Sequence, residues 1–365
     1  MTRILLGAAL ACACAWAKPV LGVFPHFAVT DREIYVDHEK ARRSGHMGHA
    51  LVDAGGGRIL DFNSNCDYDR VAGHSGFGWM EYRVSDDWGR TWGERRVLPY
   101  SKRLFDGGRH TALCEKAVKA PDGRILLFFQ ITDASLPIAC EPWAEPTMAF
   151  SVDHGETFSE GQVVCPDRGR IYDAVSDDKS VYFLIQANEH FLGSRPEHVY
   201  KVYRGDGRGA FTPSVLPIDA TGKGYGALEF TRDGSLIAYV YDSRHECEPE
   251  YVVSRDGGRT WSAPSRTYLA KKIRNPQLRR LGDDWVLVGR NGGAGDGLVM
   301  YASRDGVNWD EGRMVDRRPK GGGTGYYSCL LPICEPGRPP RMLLQYSHVY
   351  DANRVNIAHR WITPE

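Results

Sequence analysis

The sequence carries no excess of charge of either sign. Lysine and arginine together number 46, and so do aspartate and glutamate, so the chain lacks the long-range positive field that nucleic-acid-binding proteins use. After residue 17, no apolar run approaches the ~20 residues of a membrane helix,. No C-x-x-C pair, P-loop, Rossmann fingerprint or catalytic-triad signature is present,. We therefore expect no nucleic-acid partner, no membrane span and no cofactor.

The N-terminus has the pattern of a secretory signal peptide. A short charged start is followed by an apolar run and by an A-x-A cleavage pattern that ends at Ala17,. We predict a signal peptide over residues 1–17 and a single mature domain over 18–365, secreted or periplasmic. Lipoprotein anchoring at Cys12 or Cys14 is the alternative, although the usual leucine three residues ahead is missing.

Seven cysteines remain after the predicted cleavage, so at least one thiol stays outside any disulfide within the chain,. They are Cys66, Cys114, Cys140, Cys165, Cys247, Cys329 and Cys334. We expect them mainly as small buried apolar side chains, with one or two bridges allowed by export.

An internal repeat is the main signal in the sequence. Three stretches follow the pattern S-x-D-x-G-x-T-aromatic and begin at Ser85, Ser151 and Ser254. A shortened copy begins at Ser303, and a decayed copy contains Asp206. In such an Asp-box turn the aspartate caps the backbone, the glycine takes a positive φ, and the aromatic ring packs on the sheet. The repeat therefore indicates a scaffold and says little about chemistry.

Two β-patterned runs precede each copy, and turns such as Asp122-Gly123 and Asp233-Gly234 open the second run,. One four-stranded unit per repeat gives six units. Their starts are predicted near Gly48, Thr111, Ile171, Tyr225, Pro276 and Tyr327. The run from Phe27 to Val36 is left over, and we expect it to complete the last unit and close the ring. The predicted fold is all-β: a six-bladed β-propeller with four-stranded antiparallel blades and no stretch of helical periodicity.

In a propeller, the loops at the starts of the inner strands line a shared central pocket, where functional polar residues should lie. The candidates at those positions, in chain order, are His46, His49, Asp67, Asp69, His74, Arg109, Glu115, Arg170, Asp173, Glu229, Arg244, Arg274, Arg290, Tyr326, Tyr327 and His348. The histidines lack a spacing such as H-E-x-x-H, so we predict no metal site.

Blades four to six resemble the sialidase superfamily of glycoside hydrolases. The stretch Gly325-Tyr326-Tyr327-Ser328-Cys329-Leu330 is similar to that family's G-Y-S-C-L segment, and Glu229 with Arg244 is similar to its blade-four pair. Arg290 is placed like its third carboxylate-binding arginine. The resemblance implies an exo-acting, retaining glycosidase that releases terminal sialic acid or a related acidic sugar from extracellular glycans. It implies Tyr327 as nucleophile and Glu229 as the activator of that tyrosine, with Arg244 and Arg290 as ligands of the sugar carboxylate.

The chemistry suits such a set. An anomeric carbon that already bears a carboxylate repels an anionic nucleophile, whereas a neutral phenol activated by a nearby carboxylate avoids that repulsion. Bidentate arginine contacts then fix the carboxylate of the ligand.

Blade one departs from the family pattern. Sialidases have an F-R-I-P-like segment that supplies the first arginine, and this chain has Gly45-His46-Met47-Gly48-His49-Ala50 instead. The Y-E segment that holds this arginine is replaced by Gln345-Tyr346-Ser347-His348. Because a lone buried glutamate is costly, the joint absence indicates a rebuilt site.

The proton donor is open among three residues. His74 occupies the position of the family's acid/base aspartate, with Asp67 and Asp69 a few residues upstream,. The remaining substrate-binding candidates are Arg274, Arg109 and His49; the two arginines are surface ion-pair formers by default.

Two other functions stay open on the sequence. One keeps the propeller and changes the sugar to another uronic or keto sugar, or to a neutral arabinose-like sugar. The other is a non-catalytic glycan-binding propeller. In every case the expected partner is a glycan, and the sequence does not determine the oligomeric state.

Overall fold

The computed structural model describes residues 24–45, 48–72, 74–137, 144–292, 296–319 and 325–365. Within them the chain forms six antiparallel β-sheets around a central axis. One short helix connects the first sheet to the second. The predicted six-bladed, nearly all-β propeller is confirmed. The predicted signal peptide, His46 and Cys140 lie outside the described residues, and the single-domain boundaries stay a prediction.

The strands are numbered in chain order. The N-terminal strands are β1 (Phe27–Val29) and β2 (Glu33–Val36). Blade one consists of β3 (Arg43–Ser44), β4 (His49–Gly55), β5 (Arg58–Ala72), β6 (Ser75–Ser85) and β7 (Arg96–Val97). Helix α1 (Pro99–Asp106) leads to blade two, which consists of β8 (His110–Lys119), β9 (Ile125–Asp133), β10 (Thr147–Ser151) and β11 (Gln162–Val163).

Blade three consists of β12 (Ile171–Ser176), β13 (Val181–Ala187), β14 (Val199–Gly205) and β15 (Thr212–Val215). Blade four consists of β16 (Lys223–Phe230), β17 (Leu236–Asp242), β18 (Glu250–Ser254) and β19 (Ser265–Arg266). Blade five consists of β20 (Arg274–Leu281), β21 (Asp284–Arg290), β22 (Gly297–Ser303) and β23 (Arg313–Arg317). Blade six consists of β24 (Ser328–Ile333), β25 (Arg341–Asp351) and β26 (Arg354–Pro364).

The inner strands are β4, β8, β12, β16, β20 and β24, and each begins at most two residues from its predicted start. Each packs against the next, and β24 packs against β4, so the ring is closed. Blade six is completed by the N-terminus, because β1 and β2 both pair antiparallel with β26. The expectation for the run from Phe27 to Val36 is therefore confirmed. The join removes a sheet edge that would otherwise be exposed.

The S-x-D-x-G repeats lie where the third strand of a blade turns toward the outermost strand. In the first copy, Ser85 Oγ accepts from the backbone N–H of Gly89 at 2.8 Å, and Asp87 accepts from the backbone and hydroxyl of Thr91 at 2.8 and 2.6 Å. The second and third full copies form the same contacts. Gly155 of the second copy has a φ of +87°, and an added Cβ would lie 2.1 Å from Leu60. The pattern is therefore dictated by local turn geometry and close packing.

Helix α1 is the one departure from the predicted all-β pattern in the described part of the chain. Pro99 fits its first turn, where the missing N–H leaves no bond unmade,. The buried hydroxyl of Ser101 accepts from Met80 N at 2.9 Å and donates to Leu98 O at 2.8 Å, which fixes the helix to β6. Eight residues are too few for a periodic signal in the sequence. No helix of the described residues is long and apolar enough to cross a membrane.

The six described cysteines form no disulfide with one another. Cys66, Cys114, Cys165 and Cys329 are buried, whereas Cys247 is half-buried and Cys334 is exposed. Four of the six thus behave as the small buried side chains that the sequence predicts.

Buried polar pairs tie the inner strands together. The guanidinium of Arg279 binds both oxygens of Asp173 at 2.7 and 2.8 Å, and the same pair bonds the backbone N–H and C=O of Leu228. Blades three, four and five therefore meet at one ion pair. Across the axis, Lys116 Nζ of blade two donates to the side chain of Gln277 of blade five. Such groups are stable away from water only because each has a partner.

Blades one and six are joined by a separate buried pair. His359 Nε2 lies 2.7 Å from Asp61 Oδ2, and the amide of Gln345 donates to the other carboxylate oxygen. The ring of Tyr35, from β2, stacks on His359 with centroids 3.9 Å apart. The N-terminal strand thus covers the contact between the first and last blades.

Glu229 gives the fold a pH dependence that can be tested. Burial raises its pKa from 4.5 to about 7, against the opposing charge of Arg279. The folded chain holds this proton up to about pH 7, whereas the unfolded chain releases it near pH 4.5, so the associated stability is complete below pH 4.5 and is lost as the pH rises through 7. This shift in pKa corresponds to about 3 kcal/mol in the free energy of unfolding.

We expect Glu229→Gln to flatten the fall in the free energy of unfolding between pH 5 and pH 8, measured by urea denaturation. The amide still accepts from the backbone N–H of Phe230, and Arg279 keeps Asp173. The control is Glu94→Gln at an exposed loop position, which should leave the profile unchanged. A Glu229→Gln profile as steep as that of the unmodified protein would contradict the assignment.

Candidate active site

The turn before β24 sets the direction of Tyr327. Tyr326 has a φ of +64°, a left-handed conformation that is rare for a bulky residue,. It is held there by its backbone N–H, which donates to Ser347 O at 3.0 Å, and by its hydroxyl, which donates to Arg317 O at 3.0 Å. The ring of Tyr326 consequently packs within the core of blades five and six, while the next residue, Tyr327, packs with the core of blades three and four.

Aromatic rings surround Tyr327. Its ring centroid lies 6.1 Å from that of Tyr225 of blade four and 6.3 Å from that of His74, which follows β5 in blade one. His74 also contacts Phe191, from the loop between β13 and β14, with centroids 4.7 Å apart. The structure therefore brings the predicted nucleophile and one of the three predicted proton donors together.

All six inner-strand regions contribute to a cavity of about 30 Å³ at the axis. Its lining residues are His49, Glu115, Lys116, Arg170, Tyr172, Tyr225, Asn275, Gln277, Tyr327 and Ser328. This volume holds about one water molecule and marks the place where the six strands converge. The lining carries two cations and one carboxylate.

Arg290 adds a third cation beside this cavity. It is 4% exposed, and its Cζ lies 5.6 Å from the centroid of the Tyr327 ring. Among the described residues, its Nε and Nη1 groups have no hydrogen-bond partner. Its partner across the strand pair is Arg274, whose guanidinium binds the carboxylate of Glu246. Only one of two adjacent arginines is thus neutralised, and a buried guanidinium without an acceptor is costly.

Other buried polar atoms in the same sector also lack partners within the described ranges. They are both side-chain amide atoms of Asn275, the hydroxyl of Tyr241 and the hydroxyl of Ser328. Asn275 has a φ of +51°, which asparagine tolerates better than most residues,. Buried polar groups are nearly always satisfied, so a cluster of exceptions points to a ligand or to water.

Arg170 forms a buried ion pair at the wall of the cavity. Its Nε and Nη2 groups donate to the two oxygens of Glu115 at 2.8 and 2.7 Å, and its Nη1 donates to the hydroxyl oxygen of Tyr225 at 2.8 Å. Desolvation by itself would lower the pKa of Arg170, but the Glu115 carboxylate outweighs it and raises that pKa above its usual range. The guanidinium is therefore charged and held by protein groups.

Two residues of the predicted set lie elsewhere. Glu229 is further along β16, where its carboxylate faces Arg279 at 3.7 Å; no contact between its side chain and Tyr327 is found in the described structure. Arg244 is 52% exposed in its side chain and pairs with Asp242 two residues before it. The spacing of Glu229 and Arg244 matches the sialidase pattern. In the structure, however, the residue of β16 that lines the cavity is Tyr225, four residues before Glu229.

The remaining candidates divide in the same way. The side chain of Arg109 is 70% exposed and pairs with Asp133, as expected for a surface arginine. Asp67 lies opposite Arg43 in the register of β3 and β5, and Asp69 is exposed. His49 is buried and lines the cavity.

His348 lies 3.2 Å from Asp316 and does not line the cavity. No group of three or more His, Cys, Asp or Glu side chains in the described part of the chain is placed to hold a metal ion.

The residues that sequence reasoning missed lie close to the predicted blade starts. They are Lys116, Tyr172, Tyr225, Asn275, Gln277 and Ser328. Tyr225 was itself a predicted start, and the others lie within five residues of one. They were missed because the candidates were limited to one or a few polar residues near each blade start, without the neighbouring residues of the same strand.

Comparison with protein-family models and with curated proteins found no match to this sequence. Comparison with solved structures found several. A Dyadobacter fermentans protein of unknown function matches with a TM-score of 0.71 at 13% identity, over 93% of this chain and 99% of that one. The NanB sialidase from Streptococcus pneumoniae matches with a TM-score of 0.65 at 13% identity, over 95% and 71%. The α-L-arabinanase from Penicillium chrysogenum matches with a TM-score of 0.57 at 11% identity, over 87% and 93%.

The chain has the fold that the sialidase and arabinanase structures share. Identities this low establish the architecture and leave the chemistry to the residues, because one fold carries many functions. What this chain binds or cleaves therefore depends on the side chains around Tyr327.

The two neighbouring arginines provide a test of the site that needs no ligand. We expect Arg290→Met to raise the free energy of unfolding by about 1–2 kcal/mol, because it removes a buried guanidinium with unmet hydrogen bonds. The matched change Arg274→Met should lower it, because it leaves the Glu246 carboxylate without its guanidinium. Urea denaturation of both variants measures the difference. Equal destabilisation by the two changes would mean that Arg290 is satisfied in the folded chain.

Proposed function

We propose that this chain is an exo-acting glycosidase that releases a terminal acidic sugar, sialic acid in the first instance, from extracellular glycans. The observation that carries the proposal is Arg290. It is a buried cation with two N–H groups lacking acceptors among the described residues, beside the phenol of Tyr327. A carboxylate on the ligand would bind one edge of this guanidinium in bidentate fashion and would satisfy one of the two N–H groups.

The local charge supports an anionic ligand. Arg170 is balanced by Glu115 and Arg274 by Glu246, whereas Lys116 and Arg290 have no ion pair with another described residue. The excess is positive and largely removed from water, where electrostatic attraction is strongest. A neutral overall chain thus holds a local cationic site.

In the proposed mechanism, the hydroxyl oxygen of Tyr327 attacks the anomeric carbon as the bond to the leaving oxygen breaks. His74 gives the leaving oxygen a proton, and the phenol proton passes to a base or to solvent. Water then attacks the same carbon as the bond from that carbon to the Tyr327 oxygen breaks. His74 takes a proton from this water, the phenol oxygen regains its proton, and the sugar leaves with its configuration retained. His74 is preferred over Asp67 and Asp69 for this role because its ring lies 6.3 Å from that of Tyr327.

The activation of Tyr327 differs from the pattern that the sequence predicts. Glu229 faces Arg279 instead. In this proposal the nearby Arg290 guanidinium stabilises the negative charge that returns to the phenol oxygen when the covalent intermediate breaks down. Glu229 then contributes to the fold, and its proposed catalytic role is not retained.

A second candidate is a glycosidase for a neutral, arabinose-like sugar. The fold match to an arabinanase supports it, as does the absence of the blade-one arginine. Under either candidate, we propose that the segment 1–17 directs export, because a glycan-cleaving enzyme needs access to extracellular glycans.

We expect Tyr327→Phe to lower turnover of an aryl α-sialoside by at least ~10³-fold, because the variant lacks the attacking oxygen. The measurement is release of the chromophore under saturating substrate. Tyr326→Phe is the matched control: it removes the hydroxyl of the adjacent tyrosine, whose hydroxyl bonds the backbone away from the axis. Activity of Tyr326→Phe should stay within a few-fold of the unmodified protein.

A panel of aryl glycosides separates the candidates. Cleavage of the α-sialoside alone supports the acidic-sugar enzyme, and cleavage of an α-L-arabinofuranoside alone supports the second candidate. Binding of sialyl glycans without release from any substrate would favour a non-catalytic propeller. Full activity of Tyr327→Phe on the substrate that is cleaved would refute the proposed nucleophile.

A further inference from the structure

The Arg170 guanidinium is positioned to act through another residue. Three of its N–H groups are used in contacts to Glu115 and Tyr225. Glu115 and Arg170 are both about 95% buried or more, and the bidentate contact fixes the plane of the guanidinium,. Arg170 therefore does not reproduce the carboxylate-binding arginine that blade one lacks, even though it lines the cavity.

Tyr225 is the residue that Arg170 holds. Its hydroxyl oxygen accepts the 2.8 Å hydrogen bond from Arg170 Nη1, so the hydroxyl proton must point elsewhere,. Burial raises the pKa of Tyr225 well above its usual range, although Arg170 opposes the shift, so the proton is retained at neutral pH. Among the described residues no acceptor for this proton is found. The hydroxyl is therefore a polarised donor at the wall of the cavity.

Tyr225 and Arg290 flank the same ring. The centroid of the Tyr225 ring lies 6.1 Å, and the Cζ of Arg290 5.6 Å, from the centroid of Tyr327. Tyr241 joins them: its ring stacks on Tyr225 with centroids 6.4 Å apart, and its charge interactions include Arg290. The two donor groups thus belong to one sector of the site.

We propose that the Tyr225 hydroxyl is a second contact for the carboxylate of the ligand, in place of the missing blade-one arginine, with Arg170 and Glu115 as its positioning residues. This inference rests on the proposed acidic-sugar function. A neutral phenol then makes a contact for which the sialidase pattern uses a cation. Recognition of the carboxylate depends on one guanidinium and on one hydrogen bond of fixed direction.

The test is a binding cycle that does not require turnover. The probes are the 2,3-unsaturated form of sialic acid, which carries the carboxylate, and its methyl ester, which is neutral. Dissociation constants are measured by calorimetry for the unmodified protein and for Tyr225→Phe. We expect the change to weaken the acid by about 10- to 100-fold, as for loss of a hydrogen bond to a charged group, and the ester by less than about threefold.

The control variant is Tyr182→Phe. Tyr182 belongs to the same core cluster, and its hydroxyl bonds Asp177 at 3.3 Å and does not line the cavity. It should leave both dissociation constants unchanged within about twofold. Any general effect of deleting a buried tyrosine hydroxyl is thereby removed from the comparison.

The positioning role is tested with Arg170→Lys, which keeps the charge and loses the bidentate geometry. We expect it to weaken acid binding in the unmodified protein and to add less than about twofold in the Tyr225→Phe background, because its effect passes through the hydroxyl. Equal effects in both backgrounds would assign Arg170 a direct or purely structural role, and would overturn the proposal that Arg170 acts through the Tyr225 hydroxyl.

The outcomes separate the two proposals. If the unmodified protein prefers the acid to the ester, and Tyr225→Phe weakens both equally, the acidic-sugar function stands and the role of Tyr225 is wrong. If the unmodified protein binds the acid no better than the ester, the acidic-sugar function itself is wrong, and the inference falls with it.

Discussion

The ion pair between Arg279 and Asp173 is the interaction on which the centre of the molecule depends. A propeller directs the inner strands of all its blades to one axis, where a charged side chain is removed from water and has to be paired. Arg279 of blade five meets this demand by binding Asp173 of blade three and the backbone at Leu228 of blade four. Three inner strands are thereby set against one another, and the cavity residues that precede them along the same strands inherit those positions.

Around Tyr327, by contrast, several buried polar groups have no partner in the residues that the structure describes. Arg290, Asn275 and Tyr241 all have buried polar atoms without partners in the described part of the chain. Such groups lower the stability of the folded protein, and a ligand that forms hydrogen bonds with them offsets this loss. The contrast between a saturated pair and an unsaturated sector, on adjacent parts of the same strands, distinguishes a structural axis from a candidate active site.

The sequence was sufficient for the scaffold because the scaffold is encoded locally. Each S-x-D-x-G turn closes its hydrogen bonds within five residues, and each predicted blade start lies at most two residues from an inner strand. The pairing of site residues is not local. Glu115 of blade two pairs with Arg170 at the start of blade three, and Glu229 of blade four faces Arg279 of blade five. The resemblance to sialidases therefore predicted that Tyr327 and Arg290 share a site, but it could not show that Glu229 faces Arg279 or that Tyr225 lines the cavity.

The loss of one arginine–glutamate pair and the presence of another have the same physical origin. A buried arginine and its carboxylate are kept or lost together, because either alone is costly. In this chain the pair formed by Arg170 and Glu115 holds the hydroxyl of Tyr225. In the proposed acidic-sugar site, Arg290 supplies a guanidinium contact and the Tyr225 hydroxyl supplies a single hydrogen bond of fixed direction. Discrimination between a carboxylate and its neutral analogue then depends on how rigidly Glu115 and Arg170 hold Tyr225.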